Sequence, residues 1–171
     1  LTSLPPVTVV VVMGVSGSGK TTVGRRLAGE LGWEFFDGDD LHPPANVRKM
    51  ASGVPLDDGD REPWLRQIRA LVDRRCKSDQ PAVVACSALK RRYREVLLGG
   101  TAGVALVYLR GSREILAERL RGRSGHFMPP GLLDSQLDAL EEPRQALTVD
   151  VSLSPSEIVR VVESELGLPS P

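Results

Sequence analysis

Residues Val7–Thr22 read VTVVVVMGVSGSGKTT. The apolar run Val7–Met13 has no polar alternation, which predicts a strand buried on both faces, as in a parallel sheet. It ends in Gly14-Val15-Ser16-Gly17-Ser18-Gly19-Lys20-Thr21, which fits the phosphate-binding pattern G-x-x-x-x-G-K-[ST]. Glycines let the backbone take positive φ and approach an anion closely. Successive N–H groups then form a nest for phosphate oxygens. A helix starting near Lys20 adds its unpaired N–H groups and the positive end of its dipole. Lys20 supplies a mobile charge for the β- and γ-phosphates, and the Thr21 hydroxyl suits Mg²⁺. A Gly/Ser-rich turn by itself is often chemically idle. Here Val23, Leu27 and Leu31 recur at four-residue spacing after the loop, so strand, loop and helix stand in the order the motif requires. The pattern says nothing of what receives the phosphate.

The remaining composition bounds the answer. At 171 residues, with 41% hydrophobic and 26% charged, the chain suits one globular domain. Lys+Arg and Asp+Glu balance at 22 each, so no overall field draws the protein to nucleic acid or an anionic membrane. Cys76 and Cys86 have no metal-ligand spacing and are expected as reduced thiols. No apolar run approaches the ~18 residues of a membrane span. Val7–Met13 lacks a basic flank and leads straight into the loop, so it does not read as a signal peptide. A cytoplasmic location is expected.

Beyond the first helix, Thr21–Leu31, strands and helices alternate. Strands are expected at Trp33–Phe36, Ala82–Cys86, Val104–Leu109 and Leu147–Val151. Helices are expected at Ala45–Met50 after the paired prolines Pro43-Pro44, from Pro63 to about Lys77, at Leu89–Leu98, Ser112–Arg121 and Leu132–Leu140, and after the capping box Ser154-Pro155-Ser156-Glu157. The stretch Gly53–Asp60 reads as an acidic loop. This alternation predicts an α/β fold, a five-stranded parallel sheet with helices on both faces.

Ligands of such sheets sit beyond the carboxyl ends of the strands. That rule selects Gly14–Thr21, Asp37–Asp40, Ser87–Lys90 and the segment after Arg110. Phosphoryl transfer needs metal handling, a positioned nucleophile and positive charge around the moving group. Asp37 follows an apolar strand and suits a Mg²⁺-bound water near Thr21. Asp39, two residues on, suits acceptance of a proton from an attacking hydroxyl. Arg119, Arg121 and Arg123 enter a glycine-flanked basic stretch, Arg121–Pro130, that reads as a lid able to close over ATP. Lys90 lies just past a strand end, and Arg94 lies one turn further along the same face. Arg91 and Arg92 read as a solvated helix face. No aromatic platform accompanies this charge, so nucleic acid is not the expected partner. His42 and His126 flank ligand-side loops and are too few for a histidine metal site.

Four blocks together resemble the bacterial-type gluconate kinase (gluconokinase) family: GVSGSGKTTVG, FFDGDDLHPPANVRKMASGVPLDDGDREPWL, CSALKRRYR and GHFMPPGLLDSQLDALEEP. The resemblance covers nearly the whole chain, from Val9 to about Val162. The phosphate loop is widely shared, whereas the DGDDLHP and CSALK blocks are far more specific. Thr21 stands where many relatives carry Ser, and either hydroxyl can bind Mg²⁺. The resemblance implies a nucleoside-monophosphate-kinase-like layout similar to shikimate kinase, with a substrate-binding segment at about 39–80 and a lid at about 121–135. It implies phosphorylation of D-gluconate by ATP with Mg²⁺. Gly14, Gly17, Ser18, Gly19, Lys20, Thr21, Thr22 and Arg119 would bind nucleotide, and Thr21 and Asp37 the metal. Asp39 would contact the acceptor hydroxyl, with Lys20 and Arg123 as its catalytic companions. His42, Arg48, Arg61, Lys90, Arg94, His126 and Gln136 would line the substrate site. Members are commonly homodimers, and no membrane or nucleic-acid partner is implied. Without the family blocks, another small-molecule kinase on this fold, such as a shikimate-kinase-like enzyme, or a non-catalytic ATP-binding switch stays open.

Overall fold

The computed structural model describes residues 5–123 and 131–169. At its centre lies β1 (Val9–Met13), whose five side chains are all fully buried. It pairs in parallel with β3 (Ala82–Ala85) on one side and β4 (Val104–Arg110) on the other. Val9, Val11 and Met13 pack toward α3 (Asp58–Lys77) and α4 (Arg91–Leu98). Val10 and Val12 pack toward α1 (Lys20–Leu31) and α7 (Pro155–Leu166). A strand between two helical layers has no solvent face, which is why its sequence does not alternate. Each such side chain contributes about 1.5–3 kcal/mol of burial.

β2 (Glu34–Asp37) and β5 (Leu147–Asp150) complete an all-parallel sheet in the order β2-β3-β1-β4-β5. The chain moves outward from β1 to β2, returns to β3, then crosses β1 to β4. Direction reverses at β1, so the crevice of this sheet opens at the carboxyl end of β1, where the glycine-rich loop begins. The remaining helices are α2 (Pro44–Ala51), α5 (Arg113–Arg121) and α6 (Leu132–Ala139). Among the described residues no helix is long and apolar enough to cross a membrane.

Several boundaries differ from expectation for local reasons. α3 starts at Asp58, five residues before Pro63, because Asp57 and Asp60 form a reciprocal capping box: Asp60 N–H donates to Asp57 Oδ1 at 2.7 Å and Asp57 N–H to Asp60 Oδ2 at 3.0 Å. Pro63 then removes one bond, to the carbonyl of Gly59, an exposed residue whose oxygen water can serve. The paired prolines do not exclude helix, since Pro44 is the first residue of α2, where a missing N–H costs nothing. Ala88 takes φ +46°, which delays α4 to Arg91 with Lys90 as its N-cap. α5 is capped by Ser112 and ends at Arg121, so Arg123 lies past the helix.

Candidate active site

The loop after β1 is built for close approach. Gly17 and Gly19 sit at φ +84° and +90°, the left-handed region that glycine occupies without strain. A Cβ on Gly14 would stand 2.6 Å from Ser18 Oγ. That Ser18 hydroxyl is buried and has no hydrogen-bond partner among the described residues. Lys20 Nζ donates to Val15 O at 3.1 Å. Burial pulls the Lys20 ammonium below its ordinary pKa, against the attraction of Asp39 and Asp37. A phosphate oxygen would supply the counter-charge the free loop lacks.

Thr21, on the first turn of α1, links this loop to β2. Its Oγ1 donates to Asp37 Oδ2 at 3.3 Å, and Asp37 Oδ1 accepts from Asp39 N–H at 3.0 Å. A hydroxyl beside a carboxylate is the hard-oxygen donor set that Mg²⁺ prefers, with waters completing the octahedron. Gly38, between the two aspartates, is buried in a 3-10 turn at Gly38–Leu41. Its carbonyl accepts from Trp64 Nε1 at 2.7 Å. Asp39 therefore projects from a turn fixed by β2, α1 and α3. As a residue Asp39 is exposed, yet its carboxyl is crowded: burial first and the Asp37 charge second raise its pKa, while Lys20 opposes them. Lys20 and Asp39 thus feel each other's charge in one cleft.

The acceptor side continues along α2 and α3. The His42 ring stacks on Trp64 with centroids 4.4 Å apart. His42 Nδ1 and Asn46 Nδ2 lie 3.3 Å apart, and Asn46 Nδ2 also donates to Asp60 O at 2.8 Å. Burial lowers the His42 pKa from 6.5, so the ring is neutral at pH 7. Arg61 Nη1 donates to Tyr93 Oη at 3.4 Å. Lys90 Nζ and Arg92 Nη1 donate to Asp58 at 3.5 and 3.0 Å. Arg48 is exposed on α2.

On the other side of the loop a cavity of about 290 Å³ is lined by Gly17–Gly19, Thr22, Arg119, Arg123, Leu153 and Pro155. Arg119 is held there by a hydrogen bond to Val151 O. The Arg123 charge reaches Lys20.

Two expected substrate residues are engaged elsewhere. Arg94 is 8% exposed and donates to Ala88 O, Leu89 O and Glu141 O at 2.7, 3.0 and 2.6 Å. It staples α4 to two chain segments and lines a separate cavity of about 720 Å³ that includes no phosphate-loop residue. Arg94 does lie one turn past Lys90, its N–H donating to Lys90 O at 3.2 Å, but these three carbonyls occupy its guanidinium. Gln136 Oε1 accepts from Ser16 N–H at 2.7 Å, which ties α6 to the phosphate loop. His126 lies outside the described residues. Conversely, Asn46, Asp58 and the Tyr93 hydroxyl were not read as site groups. The His42/Asn46 spacing of four in a helix-turn context was the available signal for the first.

The AAA domain family model matches residues 9–143. A gluconokinase from Gluconobacter oxydans is 54% identical over 78% of this chain and 75% of its own length. The crystal structure of a gluconokinase from Sinorhizobium meliloti 1021 superposes with a TM-score of 0.82 at 48% identity, covering 97% of this chain and 94% of that one. Shikimate kinase from Aquifex aeolicus shares the fold at a TM-score of 0.60 and 17% identity, over 93% of this chain and 96% of that one. With the phosphate loop, the paired aspartates and this identity over most of its length, the chain belongs to the gluconokinase family.

Proposed function

We propose that this protein transfers the γ-phosphoryl group of ATP to the C6 hydroxyl of D-gluconate, giving 6-phospho-D-gluconate and ADP. One observation carries the reading. Thr21 on the phosphate-binding helix, Asp37 at the strand end and Asp39 in the following turn form a continuous hydrogen-bonded string. It sets an acceptor-side carboxylate beside the phosphate loop. Family membership supplies the acceptor's identity.

In this account the backbone N–H groups from Gly14 to Thr22 cradle the β- and γ-phosphates, with Arg119 on the nucleotide side. The Thr21 hydroxyl and the Asp37 carboxylate would hold Mg²⁺, which when bound would supply positive charge against the phosphate oxygens. Asp39 accepts the proton as the C6 oxygen bonds to phosphorus. The bond from phosphorus to the bridging β-oxygen breaks in line, and that oxygen leaves on ADP. Lys20 and Arg123 offset the charge that spreads over the equatorial oxygens. His42, Arg61 and Lys90 orient the acceptor, with Arg48 at its rim. The segment 39–80 acts as the substrate-binding part of one kinase domain, working in the cytoplasm, while residues 124–130 of the expected lid at 121–135 lie outside the described residues.

Purified protein incubated with ATP, Mg²⁺ and a panel of sugar acids, shikimate and AMP tests this. Gluconate-dependent ADP release is expected. Turnover with shikimate or AMP but not with gluconate defeats the reading.

A further inference from the structure

Asp58, the first residue of α3, collects three donors: the Tyr93 hydroxyl, Arg92 Nη1 at 3.0 Å and Lys90 Nζ at 3.5 Å. That one carboxylate changes which cation on the acceptor side is free. Lys90 and Arg92 each have an acidic partner, whereas Arg61 has none among the described residues, nor has Arg48, which stands exposed at the rim on α2. Arg61 instead meets Tyr93 twice, through Nη1 to the hydroxyl at 3.4 Å and with its guanidinium 5.8 Å over the ring. A tyrosine hydroxyl has one proton. Tyr93 gives that proton to Asp58, so Arg61 meets the oxygen lone pairs. The hydroxyl thus stands between the guanidinium and the carboxylate, steering the first without letting the second neutralise it.

Arg61 is also placed toward the chemistry. Its charge reaches His42, which in turn feels Asp39. The string Asp39, His42, Arg61 spans the acceptor side, with a proton acceptor at one end and an uncommitted fork of N–H donors at the other. A planar guanidinium matches a carboxylate in two parallel hydrogen bonds, which an ammonium cannot do. A substrate carboxylate recruited by Lys90 would have to approach the Asp58 charge that already holds that lysine.

We propose that Tyr93 and Asp58 are positioning residues that keep Arg61 available for the substrate's carboxylate, so that Arg61, not Lys90, reads the acid end of the sugar acid. This rests on the sugar-acid kinase reading above.

The test is a double-mutant cycle of Arg61→Gln and Tyr93→Phe, with Lys90→Gln and Arg61→Lys alongside. Tyr93→Phe keeps the buried ring, and thermal melts verify folding of every variant. Losing a charge-assisted hydrogen bond corresponds to about 10–150-fold in affinity. Arg61→Gln is therefore expected to raise the KM for gluconate in that range, and Arg61→Lys to recover part of the loss. Tyr93→Phe is expected to raise it about 3–10-fold with the KM for ATP unchanged, and to have no effect in the Arg61→Gln background. Inhibition by the neutral polyol D-glucitol should not respond to Tyr93→Phe. Equal Tyr93→Phe effects in both backgrounds, equal effects on gluconate and glucitol, or a larger KM rise from Lys90→Gln than from Arg61→Gln would each overturn the proposal. Wild-type turnover separates it from the functional reading. If another acid is the substrate, that reading fails and the same cycle with that acid decides the positioning role. An acceptor without a carboxylate overturns both.

Discussion

Replacing Gly38 by alanine tests how tightly the aspartate turn is held. Gly38 is buried between Asp37 and Asp39, and its φ is not in the left-handed region, so backbone strain is not the issue. The issue is space. A Cβ there would lie 2.6 Å from Ala85 O and 3.3 Å from Ile68 Cδ1. An unstrained carbon–oxygen contact is about 3.3 Å, so the two groups must part by about 0.7 Å. Ala85 belongs to β3, which is paired on both sides, so the turn moves and takes Asp37 and Asp39 with it. Overpacking of this kind costs about 1–3 kcal/mol, or about 3–10 °C in Tm for a chain of this size. A misplacement approaching 1 Å at a reacting group costs up to about 10²-fold, so kcat should fall about 10–100-fold. The KM for ATP should hold, because the loop that cradles phosphate hangs from β1. Steady-state ADP release and a thermal melt read both effects. Gly29→Ala is the control: nothing lies within 4 Å of its Cβ, and inside α1 it should gain about 0.4–1 kcal/mol with unchanged kcat. A folded Gly38→Ala protein with kcat within twofold of wild type would refute the argument that this turn positions Asp39.

Four further outcomes follow from the site. Asp39→Asn keeps the shape and removes the proton acceptor, so kcat should fall about 10²–10⁴-fold, and a loss under tenfold would leave Asp39 as a mere positioning group. Because burial and Asp37 raise the Asp39 pKa above 3.8, the acid limb of kcat/KM against pH should lie above the ordinary carboxylate range. The same shift means the folded state holds this proton more tightly than the unfolded chain. Its stabilising contribution is complete below 3.8 and is lost as pH rises through the raised pKa, so Asp39→Asn should melt higher than wild type at pH 7 despite its inactivity. Lys20→Ala should lower kcat by about 10²-fold or more, and an unchanged rate would contradict its role in offsetting transition-state charge.

The sheet was legible because a strand between two helical layers must be apolar on both faces, and Val7–Met13 has no other reading. The loop was legible because close approach to an anion demands glycine at set spacings. What stayed hidden was set by partners distant in sequence. Asp58 reads as loop because its helix start depends on Asp57 and Asp60 capping each other, with an aspartate where a glutamate or glutamine would have been the recognisable signal. Tyr93 reads as core, and it is core, but its hydroxyl reaches Asp58 thirty-five residues away. Arg94 shows the converse. A basic residue near a strand end suggests a ligand contact, whereas the backbone carbonyls of Ala88, Leu89 and Glu141 claim its guanidinium.

The two aspartates that frame Gly38 divide the work through their hydrogen bonds. Asp37 accepts from Thr21 and from the Asp39 backbone, so both its oxygens are committed to holding a charge in place. Asp39 has no such donors on its carboxylate among the described residues, and burial first, then the charge of Asp37, makes it more ready to take a proton. One carboxylate committed to two donors beside another left without any is how one site obtains a metal-side anion and a proton acceptor from the same residue type. The Asp37 charge is itself what any cation near Thr21 would offset. Proton affinity at the acceptor and cation affinity at the phosphate loop are therefore linked: a cation there should lower the Asp39 pKa, and protonation of Asp39 should weaken the hold on that cation by the same factor.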